Sequence, residues 1–213
     1  MVVPDQVHLL DLAGPAQVFS TAVDHGAAYR VTQVGERPQT TSHRGIELLT
    51  PTEWPELAVD DTVLVPGWRI GQRPLRCPLG KETLHRIAAH HQRGGRVASV
   101  CAGAVALAQA LLDGRRATTH HDLLPAFATR FPSVRVVEDV LFVDDGIVHT
   151  SAGIASGIDL ALHLSPSTTG RRLPHGRPDP WSSPPVATGI PHSTAQCCGI
   201  AITWSTWCTA PRT

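Results

Sequence analysis

A cysteine closes the short apolar run Arg96-Val97-Ala98-Ser99-Val100-Cys101, and Ala102-Gly103 lead from it into an alanine-rich stretch, Ala104 to Leu112. Val97 to Val100 reads as a buried strand and Ala104 to Leu112 as a tightly packed helix. Strand, cysteine, small residues and helix in that order are the layout of a nucleophile elbow, which lifts a side chain out of a sheet towards a helix N-terminus. The helix dipole and free N–H groups there favour thiolate, so the sequence predicts a lowered pKa for Cys101. A buried structural cysteine at a tight turn fits the same residues.

Other groups with chemical potential are less sharply patterned. His90-His91 and His120-His121 are adjacent pairs whose side chains diverge, and no Cys/His spacing suits zinc. No metal and no cofactor is expected. Asp144-Asp145-Gly146 reads as a hairpin turn and not a calcium loop, because the remaining oxygen ligands are missing. Thr150-Ser151-Ala152-Gly153 opens the last helix, where Thr150 either faces a pocket or merely caps and packs.

These residues need a scaffold of alternating elements. Tyr29 to Val34 alternates like a strand, and Thr62 to Val65 is a short buried strand ended by Pro66-Gly67. Lys81 to Gln92 reads as an amphipathic helix with Leu84, Ile87, Ala88 and His91 on one face, stopped by Gly94-Gly95. Asp122 to Arg130 reads as a short helix capped by Asp122. Val134–Val137, Val140–Val143 and Ile147–Thr150 read as strands, and Ile154 to Leu164 as an apolar helix. Alternation of this kind implies a mostly parallel sheet with helices on both faces. The elbow then lies at the carboxyl end of a central strand, where such folds place their sites.

Several further motifs stand in a fixed order around the elbow: Leu10-Asp11-Leu12-Ala13-Gly14-Pro15, Val65-Pro66-Gly67, Asp113-Gly114-Arg115-Arg116-Ala117-Thr118-Thr119-His120, Phe142-Val143-Asp144-Asp145-Gly146, and Thr150 to Leu164. Together they resemble the ThiJ/PfpI superfamily, whose fold is similar to class I glutamine amidotransferases. Within it the chain most resembles the sensor half of AraC-type transcriptional regulators, with isonitrile hydratases next. The resemblance implies a flavodoxin-like three-layer α/β sandwich over residues 1–164, with Cys101 as nucleophile and Asp11 as its acidic partner. Asp11 read alone is also a helix N-cap before Leu12. A carboxylate repels a thiolate, so one of the two should hold its proton at rest.

By the same resemblance, backbone N–H groups of Ala102 and Trp68 form an anion pocket beside Gly67, and His120 lines it. Two positions depart from the family. Trp68 replaces the second glycine of a Pro-Gly-Gly turn, and its bulk is expected to narrow the site. Ala102 stands where the hydratases carry threonine, which removes a hydroxyl worth about 1–3 kcal/mol if it touches developing charge. The family also has a full first strand where this chain has only Met1-Val2-Val3, so the start looks clipped.

Composition bounds the remaining classes. The chain of 213 residues is formally neutral, and all but four of its 18 basic and one of its 18 acidic residues lie in residues 1–164. That part is slightly acidic, so specific DNA binding is not expected. No apolar stretch is long enough to span a bilayer, and no secretory leader opens the chain. Five cysteines without framework spacing fit a reducing cytoplasm.

Residues 165–213 differ from everything before them. They hold eight of the 18 prolines, three of the five tryptophans and three of the five cysteines, a density of proline that no helix or sheet ladder tolerates. An unstructured tail, translated out of frame, is the expectation. The whole reads as a ligand-sensing domain of an AraC-type regulator without its helix-turn-helix half, taking an unidentified small molecule and compatible with a homodimer. The alternatives are a cysteine-dependent enzyme of the isonitrile hydratase type and a gene fragment without function.

Overall fold

The computed structural model describes residues 1–71 and 75–165; the sequence reading of residues 166–213 falls outside them. At the centre runs β6 (Arg96–Val100), four of whose five residues are buried. A strand covered on both faces has no polar side to keep, which is why Val97 to Val100 reads as a continuous apolar run. β5 (Thr62–Val65) and β10 (Val148–Ser151) pair with it in parallel, in register Val63↔Val97 and Thr150↔Ser99. β9 (Phe142–Asp145) closes the order β5-β6-β10-β9 by an antiparallel hairpin with β10, its turn at Gly146 with φ +80°. β1 (Val2–Val3) lies beside β5 and pairs in parallel with β2 (Val34–Gly35).

Helix α1 (Leu9–Asp24) packs on α5 (Ser156–Leu164), and α2 (Lys81–Gln92) packs on α3 (Gly103–Ala110). The result is the expected flavodoxin-like α/β sandwich with a mostly parallel sheet. Close approach is built in by glycine: a Cβ on Gly14 would stand 2.9 Å from Ile158 Cγ1, so α1 can lie against α5 only with a bare backbone there. The main core gathers Val63, Leu64, Val97, Val105, Leu107, Phe127 and Leu160 from these layers. Smaller elements surround it: the hairpin β3 (Gln39–Thr41) and β4 (Glu47–Leu49), the parallel pair β7 (Arg116–Ala117) and β8 (Arg135–Val136), and α4 (Leu124–Arg130).

Three local expectations are corrected. The strand over Tyr29 to Val34 shrinks to Val34–Gly35, which pairs with Val2 and Val3. Helix α2 has the expected bounds but buries Thr83, Ile87 and His90 instead of Leu84, Ala88 and His91. Thr83 and the Gly80 N–H both donate to Glu36 Oε1, so a remote carboxylate, not a local residue, caps this helix. Asp122 is no cap: a 3-10 turn over His121–Leu123 precedes α4, and the His120 ring nitrogen accepts the Asp122 N–H. Among the described residues no helix is long and apolar enough to cross a membrane.

Candidate functional site

Cys101 follows directly on β6 with φ +58°. Left-handed backbone is costly for a residue with a side chain and persists only where its surroundings fix it. Here the Cys101 N–H donates to the carbonyls of Ser151 and Ala152, each at 3.1 Å. Its own carbonyl accepts the Thr119 hydroxyl at 2.9 Å. A Cβ on Gly103 would collide with the Val65 carbonyl, so only glycine lets α3 begin against the end of β5. The elbow expected from the sequence is therefore present.

Asp11 comes to it from the first turn of α1 and is fully buried. The helix begins at Leu9, so Asp11 is not its N-cap. Its Oδ1 instead accepts the Ile154 N–H at 3.2 Å. Its Oδ2 has no hydrogen-bond partner among the described residues. That oxygen and Cys101 Cβ both face the bare α-carbon of Gly67, where any side chain would strike them. Burial raises the Asp11 carboxyl to about 6, against the lowering effect of the thiol and the Ile154 N–H.

The expected activation of Cys101 is reversed. Burial pushes its thiol up, the Asp11 charge pushes it further, and the Ala102 N–H only partly offsets them. The helix N-terminus loses this contest because the thiol is out of water and beside an anion, two effects that both disfavour thiolate. Of the pair, then, the thiol keeps its proton near neutrality. Cys77, in a loop, is also raised, to about 11, chiefly by burial.

The remaining candidates have defined places. The Thr150 hydroxyl accepts the Thr118 N–H at 2.8 Å in a buried setting, which ties β10 to the segment after β7. His120 stacks on His121 at 4.3 Å, and its ring lies against Gly153. The groups acting on the thiol are Asp11, the Ala102 N–H and Asp122. The Trp68 side chain is 3% exposed within the main core, and the residue bridges Val7. It belongs to the same core cluster as Cys101 and Ala102. Sequence reasoning missed Thr119 as the anchor of the elbow carbonyl, although it lies in the motif before His120. Ile154 gave no signal at all, since its part is played by backbone.

Cys101 is 3% exposed and Ala102 is fully buried. The site is closed in this conformation. A cavity of about 500 Å³ lined by Met1, Tyr29, Trp54 and Thr62 opens at the amino ends of β1 and β5, the opposite end of the sheet.

The elbow, its buried carboxylate and the parallel sheet agree with a family match: residues 1–166 fit the model of the DJ-1/PfpI family. The chain belongs to that family. Among DJ-1/PfpI relatives, an isonitrile hydratase from Pseudomonas putida is 36% identical over 170 residues, 78% of this chain and 69% of the relative. The HTH-type transcriptional regulator CdhR from Pseudomonas aeruginosa is 41% identical over 83 residues, but these make up 38% of this chain and only 24% of the regulator. In three dimensions, an AraC family transcriptional regulator from Pseudomonas putida superimposes with a TM-score of 0.63 at 20% identity, over 76% of this chain and 87% of that one. At that identity the likeness shows the DJ-1/PfpI fold.

Proposed function

We propose that this DJ-1/PfpI domain is a ligand-sensing module of the AraC-regulator kind, and that the elbow of Cys101, Asp11, Gly67 and Ala102 is where a small molecule binds. The observation that carries this reading is the state of the thiol. Burial and Asp11 hold Cys101 protonated, and Ala102 supplies no hydroxyl beside it. Such a site can hold a small polar molecule through backbone N–H groups without attacking it. A closed site whose occupation requires opening also suits sensing, because the ligand then favours one of two conformations.

A second reading is favoured by the pairing of Asp11 with Cys101 and by the likeness to an isonitrile hydratase. In it the thiol passes its proton to Asp11 as sulfur attacks the isocyanide carbon, and Asp11 returns that proton to the same carbon to give a thioimidate. Water then adds to the thioimidate and expels the thiol as the formamide forms. A carboxyl raised to about 6 is suited to taking and returning a proton near neutral pH.

One experiment separates the two. The protein is mixed with an aryl isocyanide and the formamide product is followed. The sensing reading expects at most trace turnover, raised about 30- to 100-fold in Ala102→Thr if the missing hydroxyl is worth a lost polar contact, and abolished in Cys101→Ser. Turnover near that of an ordinary enzyme, about 1–10 per second, puts the hydratase first.

A further inference from the structure

We propose that Asp144, His149 and His163 form a site for a borderline divalent transition-metal ion, of which Zn²⁺ is the representative. The three residues come from different elements. Asp144 is on β9, His149 is its cross-strand partner on β10, and His163 is in the last turn of α5. Their candidate ligand atoms all lie within 4.8 Å of one another. His163 Nε2 is 2.8 Å from Asp144 Oδ2, and His149 Nδ1 is 3.6 Å from Asp144 Oδ1. A tetrahedral ion with bonds of about 2.0–2.2 Å keeps its ligand atoms about 3.3–3.6 Å apart, so a cluster already within 4.8 Å closes on an ion by small side-chain adjustments.

His149 supplies the independent pointer. Its side chain is 4% exposed, yet neither ring nitrogen has a hydrogen-bond partner among the described residues. Buried polar atoms are nearly always paired, and one that is not calls for an explanation such as an ion. Burial also favours the neutral ring, the form that ligates. The carboxylate is already oriented, since the Gly146 N–H donates to Asp144 Oδ1 at 3.1 Å, the kind of supporting contact that metal ligands carry. Asp144 and His163 are 43% and 41% exposed, which leaves an entry path and room for water as the remaining ligand.

Two imidazoles and one carboxylate suit zinc and its neighbours better than calcium or magnesium, which take oxygen donors. The cluster His120, His121 and Asp122 offers the same residue types, but His121 and Asp122 are exposed and His120 already accepts a backbone N–H. An ion at Asp144 replaces the hydrogen bond from His163, whose ring proton moves to Nδ1 as Nε2 ligates, and pins the end of α5 to the β9–β10 hairpin.

The test uses the full chain without an affinity tag. Zn²⁺ is titrated by calorimetry, and Co²⁺ by its visible spectrum. The expected result is one equivalent bound at micromolar ion, a Co²⁺ spectrum without a thiolate charge-transfer band, and a melting temperature raised by the ion. Asp144→Asn and His163→Ala, both at half-exposed positions and checked for folding by circular dichroism, each weaken binding by at least about 10- to 100-fold. His121→Ala leaves it unchanged. The proposal is overturned by no binding at micromolar ion, by equal affinity in His163→Ala and Asp144→Asn, or by loss of binding in His121→Ala instead.

Discussion

The backbone N–H of Ile154 donates to Oδ1 of Asp11 at 3.2 Å, joining positions 143 residues apart. Ile154 makes that bond from φ +57°, a conformation that crowds a β-branched side chain. Its side chain is half-exposed and contributes little packing. A strained, water-facing isoleucine is thus kept where its amide can hold a buried carboxylate beside a cysteine.

Replacing Ile154 by glycine should relieve that strain without moving the N–H. Strain of about 1–3 kcal/mol is recovered, less about 0.5–1 kcal/mol for the extra freedom of glycine in the unfolded chain. The expected net gain is about 1 kcal/mol, read from the urea midpoint. A variant less stable than the parent would show that the side chain packs more than its exposure indicates.

Asp11 should make stability fall as pH rises. The folded carboxyl keeps its proton up to about 6, whereas in the unfolded chain it is lost near the ordinary value of about 3.9. Between these values the folded state binds more protons, so its advantage is full below about pH 4 and is lost as pH passes 6. Asp11→Asn lacks this dependence. Relative to the parent, it should gain stability on the order of 2 kcal/mol between pH 4 and pH 7, measured by urea unfolding at both. A constant difference would mean that Asp11 titrates normally.

The same substitution should make Cys101 more acidic, since the Asp11 charge is the second cause of its raised pKa, after burial. Alkylation of Cys101 by iodoacetamide at pH 8, followed by peptide mapping, is expected to accelerate several-fold, because thiolate is the reactive form and its fraction rises as the pKa falls. An unchanged or slower rate would remove Asp11 from the thiol's environment.

Gly67→Ala tests the crowding at the site directly. The added Cβ meets Asp11 Oδ2 and Cys101 Cβ, with the Ala102 nitrogen 3.1 Å away. These groups are buried and partly backbone, so they cannot swing aside. A loss of about 1–3 kcal/mol is expected from overpacking, seen in thermal or urea unfolding. A silent substitution would place Gly67 outside the elbow.

Gly103→Ala is the control for the elbow itself. Its Cβ would strike the Val65 carbonyl, which belongs to β5, a strand paired in parallel with β6, and is backbone that cannot swing aside. The cost should equal or exceed that of Gly67→Ala on the same scale of about 1–3 kcal/mol, with α3 losing helicity by circular dichroism. Equal stability to the parent would mean that β5 and α3 separate more easily than their packing implies.

Much of this was already legible in the chain. Apolar runs gave β5, β6 and, within a residue, β10, because a buried parallel strand leaves its mark in every consecutive residue. The antiparallel β9 lies two residues later than the run Val140 to Val143 indicates, and Asp144 and Asp145 belong to the strand, not to the turn. The step from Val100 through Cys101 to Gly103 gave the elbow, since few residue types fit so tight a turn. Tertiary structure alone decided the chemistry. Whether a cysteine at a helix start is activated depends on what shares its space, and here burial and Asp11 outweigh the helix N-terminus. Asp11 itself looked like a cap until α1 was seen to begin at Leu9 and its carboxylate to reach Ile154. The grouping of Asp144, His149 and His163 was hidden for a similar reason. Sequence spacing shows neighbours along a chain, whereas cross-strand register and the last turn of a helix bring together side chains that no local period connects.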